Sequence, residues 1–279
     1  MRILFSILFI CMFSCSAFSA TEPKGDIPER QKWSFSGPFG TYDRDQLRRG
    51  LLIFQMITRS AHGLKYMSFR QLMHPDGPAL TEEEAKEFAG DYSFPAVNEE
   101  GENISRSGLL TDKIRSPYMN PAEAAYLNSG RAPVDLTYIT KARTYSRGFP
   151  HFITDIFEMY TEHGSDYVFS YLTGFENPPE GFTSVGYNRF FDGRAVAMPQ
   201  PLVDGHLEYP KNEDGTPKAP ETMAQYARDI TAFLSWAADP YLPQRKRTGL
   251  WVMGYMIILT GLLYLLVWRK EHEKKHVQS

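Results

Sequence analysis

Cysteine is nearly missing from this chain of 279 residues. Both copies, Cys11 and Cys15, fall within the first fifteen positions, so everything after them is without a disulfide, a thiolate-held zinc site or a thiol nucleophile. A basic excess is missing too. Thirty Lys+Arg stand against 33 Asp+Glu, a formal charge of −3, which argues against a nucleic-acid partner, since such a partner demands a basic face. No HExxH, GxSxG or Gly-rich phosphate loop occurs, so hydrolase and nucleotide-binding chemistry have no support. With 42% hydrophobic, 14% aromatic and 23% charged residues, the composition is globular and excludes disorder or coiled coil.

Long apolar runs stand only at the two ends. Met1-Arg2, the run Ile3 to Phe13 and the small-residue stretch SCSAFSA read as a secretory signal peptide over residues 1–20, with cleavage near Ser19 or Ala20. Acylation at Cys15 is the weaker alternative, because Met12-Phe13-Ser14 fits a lipoprotein signal poorly. Gly249 to Trp268 carries no charge over twenty residues, and at about 1.5 Å per residue it spans about 30 Å, the thickness of a bilayer's hydrocarbon layer. Cations flank it on both sides and Trp251 and Trp268 stand at its ends, as in a membrane-spanning helix. The expected organisation is an exported domain over 21–247, a transmembrane helix over 248–268 and a cytoplasmic tail over 269–279. That places the chain in the cell inner membrane as a single-pass protein with its large domain on the periplasmic side.

Without the ends, residues 21–244 carry 22 Lys+Arg against 31 Asp+Glu, a charge near −9. Ten of those acids lie between Asp76 and Asp112, opposed only by Lys86 and Arg106. This stretch is either a solvated face or a docking surface for a basic partner. Helical spacing predicts helices over Arg44–Thr58, Thr81–Phe88 with a Thr81/Glu84 capping box, Asn120–Asn128, Asp135–Arg143, Phe152–Glu162, Ser165–Leu172 and Ala219–Ala238. Between Phe175 and Pro220 the Pro, Gly, Asn and Asp content predicts a long loop region holding at most one short hairpin. The fold is expected to be mainly α. Five histidines lie in the domain, and of these His163, followed by Gly164, reads as a helix C-terminal residue and His74 as a loop residue.

Several segments in one order resemble the cytochrome c1 family, the haem-bearing subunits of quinol–cytochrome c reductase (complex III). They are WSFSGPFGTYDRDQLRRG from Trp33, HGLKYMSFRQL from His62, RAPVDLTYITKAR from Arg131, DYVFSYLTGF from Asp166, YNRFF from Tyr187, VAMPQPL from Val196, MAQYARDITAFLSWAADP from Met223 and the anchor RKRTGLWVMGYMIILTGLLYLL. The resemblance implies a cytochrome c-like exported domain with long loops and one C-terminal transmembrane helix. It implies His62 and Met198 as axial ligands of a haem iron, with Tyr66 and Arg143 near the haem edge. One departure is severe: where the family attaches haem through CxxCH, this chain reads Thr58-Arg59-Ser60-Ala61-His62, so Thr58 and Ala61 hold the cysteine positions. Either a non-covalent haem is held by His62, Met198 and packing, or the chain is a haem-free structural subunit, a reading that the bulky Arg59 favours. The partners the resemblance implies are cytochrome b, a Rieske iron–sulfur subunit and a soluble basic c-type cytochrome, within a dimeric complex.

Overall fold

The computed structural model describes residues 25–158 and 160–277. The expected signal peptide lies outside them. The described residues form a mainly helical architecture with three two-stranded antiparallel sheets.

Two long helices make the core. Helix α1 (Arg44–Met56) starts where the Asp43 carboxylate accepts the backbone N–H groups of Asp45 and Gln46, which satisfies donors that the first turn leaves unpaired. Its apolar stripe of Leu47, Leu51 and Phe54 is buried against a later helix, Met223–Ala238, whose start is capped by Thr222. Phe54 and Phe233 meet with ring centroids 5.9 Å apart, and Tyr226, Phe233 and Trp236 are fully buried. Each such side chain contributes about 1.5–3 kcal/mol through the apolar area it removes from water.

Between these two the chain forms α2 (Glu82–Gly90), α3 (Pro121–Leu127), α4 (Ile139–Ala142), α5 (His151–Phe157) and α6 (His163–Thr173); the Met223–Ala238 helix is α7. The Thr81/Glu84 capping box at α2 is present in both directions, and α3 has Asn120 at its cap with Pro121 in the first turn, as the sequence implies. Three helices are shorter than their spacing predicts: α4 covers only the C-terminal half of Asp135–Arg143, α5 ends at Phe157, and α7 begins at Met223 rather than Ala219. His163 opens α6 rather than closing a helix; its Nε2 lies 3.3 Å from the Asp155 carboxylate. The reason is long-range, because the Asp155 carboxylate is held in place from Arg30 and Arg147.

Strand β1 (Leu64–Ser68) pairs with β4 (Lys113–Ile114), β2 (Ser93–Val97) with β3 (Asn103–Ser107), and β5 (Gly186–Tyr187) with β6 (Ala195–Val196). The β5/β6 pair is the one hairpin allowed for in the long loop region. The β2/β3 hairpin is not anticipated by the sequence pattern. It projects from the acidic segment, where Glu83, Glu87, Glu99, Glu100 and Glu102 are exposed and make no ion pair among the described residues.

Helix α8 (Leu242–Val277) is unbroken over 36 residues. Its first residue, Leu242, is buried in the core of the domain, while none of its most apolar window is buried. The Lys246 ammonium donates to the carbonyls of Phe35 (2.5 Å) and Gly37 (2.6 Å). The helix is long and apolar enough to cross a membrane.

Candidate functional site

The residues singled out by sequence lie along one arc of the domain. After α1 the chain tightens into a short turn, Thr58–Ser60, and the backbone N–H groups of both Ala61 and His62 donate to the Thr58 carbonyl. That turn fixes the His62 backbone. The ring is fixed from a distant point: Nδ1 lies 2.7 Å from the Val134 carbonyl oxygen. A carbonyl only accepts, so Nδ1 carries the proton, and the lone pair of the neutral ring sits on Nε2. Among the described residues nothing hydrogen-bonds to Nε2. Burial lowers the His62 pKa below its ordinary 6.5, opposed by the Val134 carbonyl and by the charge on Asp135. The imidazole is therefore neutral at physiological pH with one nitrogen free to ligate. A ligating histidine has the same arrangement, with the far ring nitrogen tied to a backbone carbonyl.

The loop that supplies Val134 is itself held against the start of β1. Leu136 N–H donates to the Gly63 carbonyl, and the Asp135 carboxylate accepts the N–H groups of Lys65 (2.7 Å) and Thr137 (3.1 Å). Tyr66, on β1, lies against Tyr138 with centroids 5.4 Å apart. Tyr66, Val134 and Tyr138 are each about half exposed, so an apolar, largely aromatic surface stands open beside the imidazole.

Tyr138 precedes α4 and Arg143 follows it. Gly164 allows α6 to cross close over this short helix, because a Cβ there would collide with the carbonyls of Thr140 and Arg143. One turn further along α6, Tyr167 and Tyr171 feel the positive charge of Arg143. Burial raises the Tyr171 phenol to about 12, the Tyr167 hydroxyl adds to the rise, and the Arg143 guanidinium opposes it. Tyr171 contacts Phe175 and Phe191 edge-on at 5.7 and 6.0 Å. Phe175 lies against Gly186 on β5, and Gly186 also lies against the backbone carbonyl of Met198, which follows β6. Met198 is half-buried. Packing and hydrogen bonds thus join His62 to Val134 and Tyr66 to Tyr138, and separately join Tyr171 through Phe175 and Gly186 to the Met198 backbone, with the charge of Arg143 felt by the α6 tyrosines.

Arg59 does not belong to this arc. Its guanidinium pairs with Asp91 at 2.9 Å and lies over the Tyr92 ring. Sequence reasoning did not single out Val134 as the acceptor for His62, nor Tyr138, Tyr167 and Tyr171. Only the RAPVDLTYITKAR and DYVFSYLTGF segments signalled them.

The fold is a mainly helical domain joined to one helix long and apolar enough to cross a membrane, with His62 held through Nδ1 and unpartnered at Nε2 among the described residues. Similarity narrows the class. The sequence model of the cytochrome c1 family matches residues 33–274. Cytochrome c1 of Blastochloris viridis is 41% identical over 277 residues, covering 96% of each chain. Cytochrome b/c1 of Bradyrhizobium diazoefficiens is 44% identical over 255 residues, 88% of this chain but 36% of that longer protein. A mitochondrial cytochrome c1 heme protein of Arabidopsis thaliana is 37% identical over 237 residues, 83% of this chain and 68% of that one. The chain belongs to the cytochrome c1 family, and by family it is an electron-transfer subunit of the cytochrome bc1 type.

Proposed function

We propose that this chain takes electrons from a Rieske iron–sulfur protein and passes them to a soluble basic c-type cytochrome, as the single-pass subunit of a quinol–cytochrome c reductase. The cofactor would be a haem held without thioether bonds, with His62 Nε2 and the Met198 sulfur as the residues that would ligate its iron. The observation that carries the reading is the hydrogen bond from His62 Nδ1–H to the Val134 carbonyl, which leaves Nε2 as the ligand atom. When bound, haem supplies a reversible one-electron couple, and His/Met ligation raises its potential.

The chain's own residues divide the remaining work. Val134 holds the imidazole tautomer, and burial keeps the ring neutral. Tyr66 and Tyr138 offer an aromatic surface to a porphyrin face, and Arg143 offers a guanidinium for a propionate. Because Thr58 and Ala61 can form no thioether, coordination and packing alone retain the cofactor. The Arg59–Asp91 pair removes Arg59 from this surface, so the bulk of that side chain is no argument against haem. The exposed glutamates of α2 and the β2/β3 hairpin suit a basic acceptor. The cytochrome b/c1 relative, whose name joins the two proteins, supports cytochrome b as a neighbour, in a complex that we take to be dimeric. The boundaries proposed are a signal peptide to residue 20, a periplasmic domain to 247, a membrane helix over 248–268 and a cytoplasmic tail, in the cell inner membrane.

The missing thiols favour one other reading, a haem-free structural subunit of the same complex. Reduced-minus-oxidised and pyridine haemochrome spectra of the membrane-extracted protein, with acid-acetone extraction of the same sample, separate the two. Stoichiometric, fully extractable haem is expected, with its band lost in His62→Ala and shifted in Met198→Ala. A colourless protein that still copurifies with cytochrome b establishes the structural subunit instead.

A further inference from the structure

The segment Trp33 to Tyr42 contains no charged side chain over ten residues, in a domain whose formal charge is near −9. Its inner half is core: Trp33 and Phe35 are buried, and the Phe35 and Tyr42 rings meet at 5.0 Å. Its outer half is a turn. Gly37 adopts φ +70°, a conformation that glycine reaches without steric cost, and Gly40 N–H returns to the Gly37 carbonyl. Between them Phe39 is thrown outward and is 81% exposed. The turn therefore presents one large apolar side chain outward from an uncharged, tethered segment.

The tether shows which surface it faces. Lys246 of α8 reaches into this turn and holds the carbonyls of Phe35 and Gly37. Lys246 stands three residues before the apolar run that begins at Gly249, about 4.5 Å along the helix axis. That is within the headgroup layer, which is about 5–7 Å deep on each side of the hydrocarbon. At the same end of the domain Tyr241, 56% exposed, packs edge-on against His74 at 5.1 Å. Aromatic side chains collect at this level of a membrane.

We propose that the Gly37–Gly40 turn is a second membrane contact, with Phe39 seated among the lipid headgroups beside the point where α8 enters the bilayer. The occupant is the lipid surface, because the patch is continuous with the anchor helix. The proposal rests on the reading that α8 spans a membrane. Two points of attachment, one helix and one turn joined by Lys246, fix the tilt of the domain above the bilayer.

The test uses the full chain with Cys11→Ser and Cys15→Ser, reconstituted in phosphatidylcholine vesicles. A thiol-reactive fluorophore is placed at Phe39→Cys, Met119→Cys or Ile257→Cys. Phosphatidylcholine bearing a nitroxide near the headgroup or deep in the acyl chain quenches from the lipid, and iodide quenches from water. The expected result is strong quenching at residue 39 by the shallow nitroxide and several-fold weaker quenching by iodide than at residue 119. If residue 257 is quenched by the deep nitroxide while residue 39 behaves like residue 119, the turn faces water and the proposal fails alone. If residue 257 is also unquenched by lipid, the spanning reading fails and the proposal falls with it.

Discussion

Two kinds of buried polar group stand side by side in this domain. Asp229 is fully buried, and its oxygens accept from Arg49, Gln46, Gln225 and Tyr209. Asp166, equally buried, accepts from the Gln31 N–H, Trp33 Nε1 and the hydroxyls of Tyr145 and Tyr160. Their hydrogen-bonding capacity is spent inside the fold, and burial together with the neighbouring carboxylate raises the tyrosine hydroxyls well above their usual value. His62 differs: one ring nitrogen is satisfied and the other has no partner among the described residues. A carboxylate with all its acceptor sites filled is a structural member. An imidazole fixed through one nitrogen and open at the other is what the proposed ligation by His62 requires.

The comparison breaks most visibly at Asp229. Asp229→Ala strips the partner from Arg49 and orphans Tyr209, so it should cost about 3–5 kcal/mol, the usual result of breaking one side of a buried pair. Denaturant melts of the full chain measure it, and a loss below about 1 kcal/mol would show that the network is dispensable. His62→Ala should act the other way round. It removes one hydrogen bond to Val134, worth about 0.5–1.5 kcal/mol, yet abolishes the haem band. Equal damage to fold and haem would place His62 among the structural groups.

Acid sharpens the contrast further. Because the folded His62 pKa lies below the 6.5 of a free histidine, the unfolded chain binds that proton first. The stability linked to His62 is therefore complete above the unfolded value and is lost as pH falls below it toward the folded one. Bound iron would compete with the proton for Nε2, so haem should leave at a lower pH than the one at which the haem-free ring titrates. An absorbance titration of the haem form beside the His62 ring resonances of the haem-free form checks that order. The smallest effect belongs to Arg59→Ala: a half-exposed pair with Asp91 is worth about 0–1 kcal/mol, and the haem spectrum should not change.

The parts of this fold legible in the sequence are those governed by local rules. Helix α1 follows from Leu47, Leu51 and Phe54 at helical spacing behind Asp43, and α2 from its capping box. The anchor follows from length and polarity alone. The β2/β3 hairpin was hidden because Ser93–Val97 is short, holds Pro95 and runs apolar from Phe94 to Val97 while its partner Asn103–Ser107 is mostly polar, so neither strand shows a clean alternation of apolar and polar residues. The site was legible only by register with a family motif. His62 is meaningless as a lone histidine, and the carbonyl that gives it a tautomer lies 72 residues away. Asp229 and Arg49 are separated by 180 residues, a distance at which spacing carries no information. His163 was misread for a different reason: its partner Asp155 is only eight residues back but stands on the preceding helix, and His163 opens the next one.

Helix α8 has no break between the buried Leu242 and the end of the apolar run. Domain and anchor therefore behave as a single lever without a joint. At about 1.5 Å per residue its 36 residues make an arm of roughly 54 Å. If the Gly37–Gly40 turn holds the domain to the lipid surface as proposed, a change of bilayer thickness finds no joint in which helix and domain could tilt apart, and the cost of the mismatch falls on the lipid around the anchor instead.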